Sequence, residues 1–157
     1  MEQSSKTLTF VVPAYNMETY LERCVESLLS ATDNSDIEVL IVDDGSSDST
    51  PELADMYERR WPGNVRAIHQ VNKGHGGAVN TGIANATGMY VKVVDADDWV
   101  DMPSIDTLMG TLRVQRVATD PVDMIVTNYV YDKVGKRVKH TVNFRHAMAA
   151  NTVLGWD

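Results

Sequence analysis

Short apolar runs dense in Val and Ile fall at residues 8–12, 37–42, 65–71 and 89–94, and between them apolar residues recur at helical spacing. This alternation constrains the fold more than any other feature of the chain. Runs of that kind fit strands covered on both faces, and the intervening period fits helices. Leu21, Val25, Leu28 and Leu29 share one helical face, with Asn16 placed to cap that helix, and Leu53, Met56, Tyr57 and Trp61 share the next. Ser49 and Glu52 have capping-box spacing and Pro51 lies in the first turn, which marks where the second helix starts. A third helix over residues 76–86 is rich in small residues, so it can pack close to a sheet. Strand, helix, strand, helix in this order predicts an α/β fold: a mostly parallel sheet with helices on both faces.

Beyond Asp101 the pattern loosens. Residues 103–117 read as a further helix and 122–127 as a further apolar run. Residues 124–142 read as two strands around "DKVGK", an antiparallel hairpin near the C-terminus. Residues 143–157 show no clear pattern, and there is no internal repeat.

At 157 residues the chain suits one compact domain, residues 1–157, able to bury a core without a disulfide or structural metal. The net charge of −8, from 22 acidic against 14 basic residues, opposes a polyanionic partner, so no nucleic acid is expected. Cys24 is the sole cysteine, which rules out a disulfide framework or a cysteine metal cluster within one chain. A reducing, cytoplasmic setting fits it. The apolar run before Pro13 is too short for a signal-peptide core and no later segment approaches a membrane span, so any membrane association is expected to be peripheral or to lie outside this chain.

In doubly wound sheets, ligands bind beyond the carboxyl ends of the strands. Here the first strand runs into "PAYN", the second into "DDGSSD", the third into "NKGHGG" and the fourth into "DADDW". The last segment sets Asp95, Asp97 and Asp98 within four residues, with Asp101 close behind. It reads either as a solvated acidic turn that caps the following helix or as a site where two carboxylates reach one Mg²⁺ or Mn²⁺. A cation there would turn an acidic rim that repels phosphate into one that holds it. Asp43 and Asp44 read either as a turn or as acceptors for a nucleobase N–H or ribose hydroxyls, with Gly45 allowing the tight turn. Tyr15 is placed to stack on a base or simply to pack. The glycines after Lys73 would let backbone approach a diphosphate, which Lys73 itself could touch, or would simply allow close helix–sheet packing. Val79 fills the third glycine place of G-x-G-x-x-G, so neither that motif nor a P-loop is matched. His75 reads as a polar residue on the pocket rim rather than a metal ligand.

Together, "VVPAYNMETYLERCVESLL", "IEVLIVDDGSSDST", "NKGHGGAVNTGIANATGMYV" and "VVDADDW" resemble the family-2 glycosyltransferases. The resemblance implies the GT-A fold, a Rossmann-like three-layer sandwich that binds nucleotide-diphospho-sugars. It implies that Pro13, Ala14 and Tyr15 line a nucleoside pocket, that Asp43 or Asp44 contacts base or ribose, and that the Gly74 loop lies near the diphosphate. Asp95-Ala96-Asp97 then corresponds to the family's D-x-D element, with Asp97 the main metal contact and Asp95 serving ribose or metal. The implied reaction is an inverting, Mn²⁺- or Mg²⁺-dependent transfer of a sugar, from a UDP-sugar by default, to a carbohydrate or lipid-linked acceptor hydroxyl in polysaccharide biosynthesis. The family's catalytic base lies well downstream of D-x-D and is expected beyond residue 157. By that reading the chain is a donor-binding half, truncated before the acceptor segment and poor at transfer alone. The alternative is a non-catalytic nucleotide-binding or assembly module. A phospho-accepting receiver domain fits less well, because the acid pair follows the second strand and no lysine ends a fifth strand beside it.

Overall fold

The computed structural model describes residues 6–132, 138–147, 149 and 152–155. The chain divides into two compact units, Met1–Ala118 and Thr119–Asp157. In the first, strands β1 (Leu8–Ala14) and β2 (Ile37–Asp43) are buried along their whole length. That burial explains their largely apolar character, since neither face meets water, and the polar exceptions Thr9 and Glu38 hydrogen-bond to each other at 2.7 Å. Both pair in parallel, with Leu8 opposite Ile37 and Ala14 opposite Asp43. Strand β3 (Val65–His69) extends the sheet beyond β2, and β4 (Tyr90–Val93) lies on the other side of β1.

The strand order β3-β2-β1-β4 places the helices. Helices α1 (Leu21–Leu28) and α2 (Thr50–Arg60) serve crossovers running one way across the sheet, whereas α3 (Gly74–Asn85) serves the crossover back past β1. Parallel crossovers are right-handed, so α3 covers the opposite face from α1 and α2. Val11, Val42 and Ala78 form the core beneath α3, with Ile68 packed against it. On the other face α1 buries Leu21, Cys24, Val25 and Leu28, and α2 buries Ala54 and Tyr57.

Helix α4 (Met102–Arg116) is capped by Asp101, whose Oδ2 accepts from the Ser104 N–H at 3.1 Å and the Ser104 hydroxyl at 2.7 Å. Arg113 anchors its far end, donating to Asp36 at 2.5 and 3.1 Å and to the Asp33 carbonyl at 2.9 Å. Burial pushes the Asp36 carboxyl up, but the Arg113 and Thr7 hydrogen bonds outweigh it and hold it below the usual range. A carboxyl lowered by folding contributes stability that is present above its unfolded value and lost as pH falls through the folded one. The urea midpoint is therefore expected to fall as pH drops below about 4, and Asp36→Asn to flatten that acid limb while lowering stability near neutrality. An acid limb left unchanged by the substitution would contradict this.

The second unit contains an antiparallel pair, β5 (Tyr129–Tyr131) with β6 (His140–Val142), and a 3₁₀ turn at Phe144–His146. The expected hairpin forms, although of its "DKVGK" turn only Asp132 lies within the described residues. The apolar run at 122–127 is not a strand. An apolar run becomes a strand only where a neighbour offers a ladder, and none of the described pairings includes these residues.

Two helix starts also differ from expectation. Asn16 does not cap α1, whose first turn is closed by the Met17 carbonyl accepting from Leu21 N–H at 2.9 Å. Ser49 stands at the N-cap of α2 without a side-chain capping bond. Its N–H instead donates to Glu18 at 3.0 Å, and Thr50 N–H donates to Asp48 at 2.9 Å. Glu18 from the first loop and Asp48 from the second displace the local box.

Candidate functional site

The carboxyl ends of β1 and β4 and the loop entering α3 enclose a cleft of about 450 Å³. Strand β1 contributes Pro13 and Ala14, and Tyr15 and Met17 follow it. Tyr15 is half exposed, so its ring is open to a ligand. Asp44 comes from the end of β2, Asn72 from the loop after β3, and Gly74, His75 and Ala78 from α3. Asp95, Ala96 and Asp97 close the other side.

Asp44 holds the cleft together. It is 2 % exposed, accepts from Gln70 Nε2 at 2.6 Å and from Lys73 N–H at 2.8 Å, and donates its own N–H to the Ala14 carbonyl. Burial pushes its carboxyl up, but Gln70 and the Lys73 and Gly74 N–H groups outweigh this and keep it ionised below the usual range. The Thr81 hydroxyl fixes Gln70 in turn, at 2.6 Å from Oε1. Gly74 has φ +76°, a conformation glycine adopts without strain, and its N–H donates to Asn72 Oδ1 at 3.1 Å.

Asp43, one residue earlier, points the other way. Its carboxylate accepts from Ser46 N–H at 3.0 Å and meets His69 Nδ1 at 3.1 Å, while His69 Nε2 meets Asp55 of α2 at 3.0 Å. Asp43 is 3 % exposed and does not line the cleft, and neither does the Lys73 side chain. The other sequence candidates, Pro13, Ala14, Tyr15, Asp44, Gly74, Asp95, Ala96 and Asp97, all do. Met17, Asn72 and Ala78 were not foreseen. For Asn72 a signal existed, since Asn two residues before a glycine invites an Asx turn. Met17 and Ala78 carried none.

The acidic segment turns tightly, with Asp98 N–H donating to the Asp95 carbonyl at 2.8 Å. Asp95 Oδ1 lies 2.8 Å from His75 Nε2. Burial, then Asp97 and Asp95, push the Asp98 carboxyl up, so mutual repulsion is present in the segment. Beneath it Cys24 Sγ lies 3.7 Å from the Asp95 carbonyl, and burial, then Asp98, Asp97 and Asp95, push its thiol up to about 12. The thiol is neutral and enclosed, without metal-ligand or nucleophile character. Arg23 stacks on Trp99, 3.4 Å from the ring centroid, and ties the segment's end to α1.

Among the described residues no three His, Cys, Asp or Glu side chains converge as a metal cage. Two hard carboxylates beside an open cleft instead suit a hard divalent cation that takes its other oxygens from water and a phosphate-bearing ligand. Among the described residues, no helix is long and apolar enough to cross a membrane.

The sequence profile described as "Glycosyl transferase family 2" matches residues 9–153. Glycosyltransferase GlyG of Streptococcus pneumoniae is 40 % identical over 131 residues, covering 82 % of this chain and 41 % of GlyG. Among solved structures, S. aureus TarS 1-349 in complex with UDP-GlcNAc superposes with a TM-score of 0.63 at 26 % identity, covering 70 % of this chain and 32 % of that one. The mannosyltransferase PcManGT of Pyrobaculum calidifontis, in complex with GDP-Man and Mn²⁺, gives 0.60 at 26 % identity, covering 71 % and 33 %. The chain thus covers 41 % or less of each of these proteins.

Proposed function

The chain belongs to glycosyl transferase family 2, and from that premise we propose that its cleft binds the nucleotide-diphosphate part of a sugar donor for transfer to an acceptor hydroxyl. One observation carries the proposal: Asp44, the Gly74 turn and the Asp95-Ala96-Asp97 segment, from three strand ends, share one cleft with Tyr15. In this reading Pro13, Ala14 and Tyr15 hold the nucleoside, with the Tyr15 ring against the base and Asp44 accepting from base or ribose. The turn at Gly74 brings backbone close to the diphosphate, with Asn72 and His75 beside it. Asp43 supports the wall and Lys73 serves through its N–H.

Asp97, with Asp95, would hold Mn²⁺ or Mg²⁺, which when bound supplies a Lewis acid that neutralises the departing diphosphate. The chain's own residues orient the donor, keep Asp44 ionised and hold the two carboxylates on one wall, so that displacement at the anomeric carbon starts from a fixed geometry. We read the transfer as inverting, the donor as a UDP-sugar and the acceptor as a carbohydrate or lipid-linked hydroxyl, in a cytoplasmic setting. The bound UDP-GlcNAc of TarS and the GDP-Man and Mn²⁺ of PcManGT support the donor class and the cation. No residue of this chain is assigned as the base.

Calorimetry of UDP-sugar binding with and without Mn²⁺ tests the proposal. Binding is expected to need the metal and to weaken at least about tenfold in Asp97→Ala, since losing one charged contact of about 1.5 kcal/mol suffices for that factor. Metal-independent binding that Asp97→Ala leaves intact would favour a non-catalytic nucleotide-binding module.

A further inference from the structure

His69 lies outside the cleft, yet it stands between two carboxylates. Nδ1 is 3.1 Å from Asp43 Oδ2 of β2, and Nε2 is 3.0 Å from Asp55 Oδ1 of α2. A neutral imidazole donates from one nitrogen and presents a lone pair at the other, so one carboxylate would then face a lone pair. Only the imidazolium satisfies both ends. The charged groups acting on it are these two, Asp43 from β2 and Asp55 from α2. One turn along α2, Glu58 turns to the Ala67 N–H at 3.3 Å instead.

What this strut holds leads directly to the cleft. The second oxygen of Asp43 accepts from Ser46 N–H at 3.0 Å. The Ser46 hydroxyl accepts from Asn16 N–H at 2.9 Å, and Asn16 Oδ1 accepts from Ser47 N–H at 2.9 Å. Asn16 has φ +54°, in the left-handed region that asparagine enters more readily than most residues, and it directly follows Tyr15 on the cleft wall. Asp55, His69, Asp43, Ser46 and Asn16 therefore form one continuous chain from α2 to the nucleoside side of the cleft.

We propose that His69 is a positioning residue whose imidazolium braces the 43–47 turn and Tyr15, so that the nucleoside wall loosens when the ring loses its proton. The functional consequence rests on the reading of the cleft as a nucleotide site: affinity falls as pH rises. The direction of the linkage agrees. Hydrogen bonds to Asp43 and then Asp55 raise the ring's pKa, so the stabilisation is full on the acid side and is lost as pH climbs through the raised value.

The test uses the 157-residue chain, its Asp55→Asn variant and UDP with Mg²⁺. An asparagine amide can donate to a neutral Nε2, so Asp55→Asn removes the need for the proton while keeping a partner. Wild-type affinity for UDP is expected to weaken about tenfold between about pH 6 and about pH 9. The variant's affinity is expected to change less over the same range, with the ligand's own titration common to both proteins. Equal pH dependence in the two, or a His69 ring that titrates by NMR at or below about 6.5, overturns the proposal. If wild type binds no UDP at any pH, the nucleotide reading fails and amide-exchange protection decides for the strut. Protection of Ser46 and Ser47 that falls with pH in wild type but not in Asp55→Asn upholds it, and protection that is flat or falls equally in both sinks it.

Discussion

Asp44→Ala is expected to abolish measurable nucleotide binding and to loosen the fold together. In the present reading the carboxylate touches the donor, and it also fixes the turn that lets backbone approach the diphosphate. Its removal leaves Gln70 Nε2 and the Lys73 N–H, now at 2.6 and 2.8 Å from Oδ1, without their acceptor. Each hydrogen bond to a charged group contributes about 1.5–3 kcal/mol, partly recovered here because Lys73 is exposed and water can take its N–H. A net loss of about 2 kcal/mol in unfolding free energy follows, readable from urea denaturation. The binding loss is larger. A direct contact and a misplaced turn together should cost at least about a hundredfold, or about 2.7 kcal/mol. Asp44→Asn separates the two effects: its amide oxygen can still accept from Gln70 and Lys73, so most stability should return while binding stays impaired. An Asp44→Ala protein that binds UDP-sugar as wild type does would place the nucleoside elsewhere.

Asp43 and Asp44 also show what the sequence could and could not disclose. The strand run ending in two acids was plain, because a strand buried on both faces is a continuous apolar stretch and the polar residues mark its end. Which acid faces the ligand was not. Val42 belongs to the core under α3, alternation turns Asp43 to the α2 side where His69 waits, and Asp44 lies past the strand end in the cleft. That assignment needs the exact residue at which β2 stops, the least legible feature of any run.

The same limit explains the helix starts. Asn16 and Ser49 are good caps by type, but each is also a good partner across a loop. The first loop's Glu18 accepts from Ser49 N–H at 3.0 Å and donates its own N–H to Asp48 Oδ2 at 3.1 Å, so contacts some thirty residues apart win over the local box. The small-residue helix after β3 was legible because close packing on a sheet excludes bulk, and Gly82 against Val11 is the reason. The run at 122–127 failed as a strand because propensity without a neighbouring ladder does not make one.

Gly88→Ala is the substitution expected to cost the most stability per atom added. The residue forms the corner between α3 and β4, where its N–H donates to Thr9 Oγ1 at 2.8 Å and Thr9 donates onward to the buried Glu38 at 2.7 Å. A Cβ placed there would lie 2.6 Å from Thr9 N and 2.8 Å from the Leu8 carbonyl carbon. Both are main-chain atoms of β1 inside a parallel ladder, so no side chain can swing aside, and relief requires prising β4 away from β1. Gly82→Ala provides the comparison. Its Cβ would come even closer, 2.2 Å from Val11 Cγ1, but the obstacle is a side chain, and an alanine in the helix returns about 1 kcal/mol of propensity. Against an overpacking cost of about 1–3 kcal/mol, Gly82→Ala should therefore lose about 1 kcal/mol net, while Gly88→Ala should lose about 3 kcal/mol or more with nothing returned. For a chain of this size that corresponds to a fall in Tm of about 9 °C for Gly88→Ala and about 3 °C for Gly82→Ala. The order of the two is the decisive result: if Gly82→Ala proved the worse, Val11 would be the rigid partner and the β1–β4 corner the compliant one.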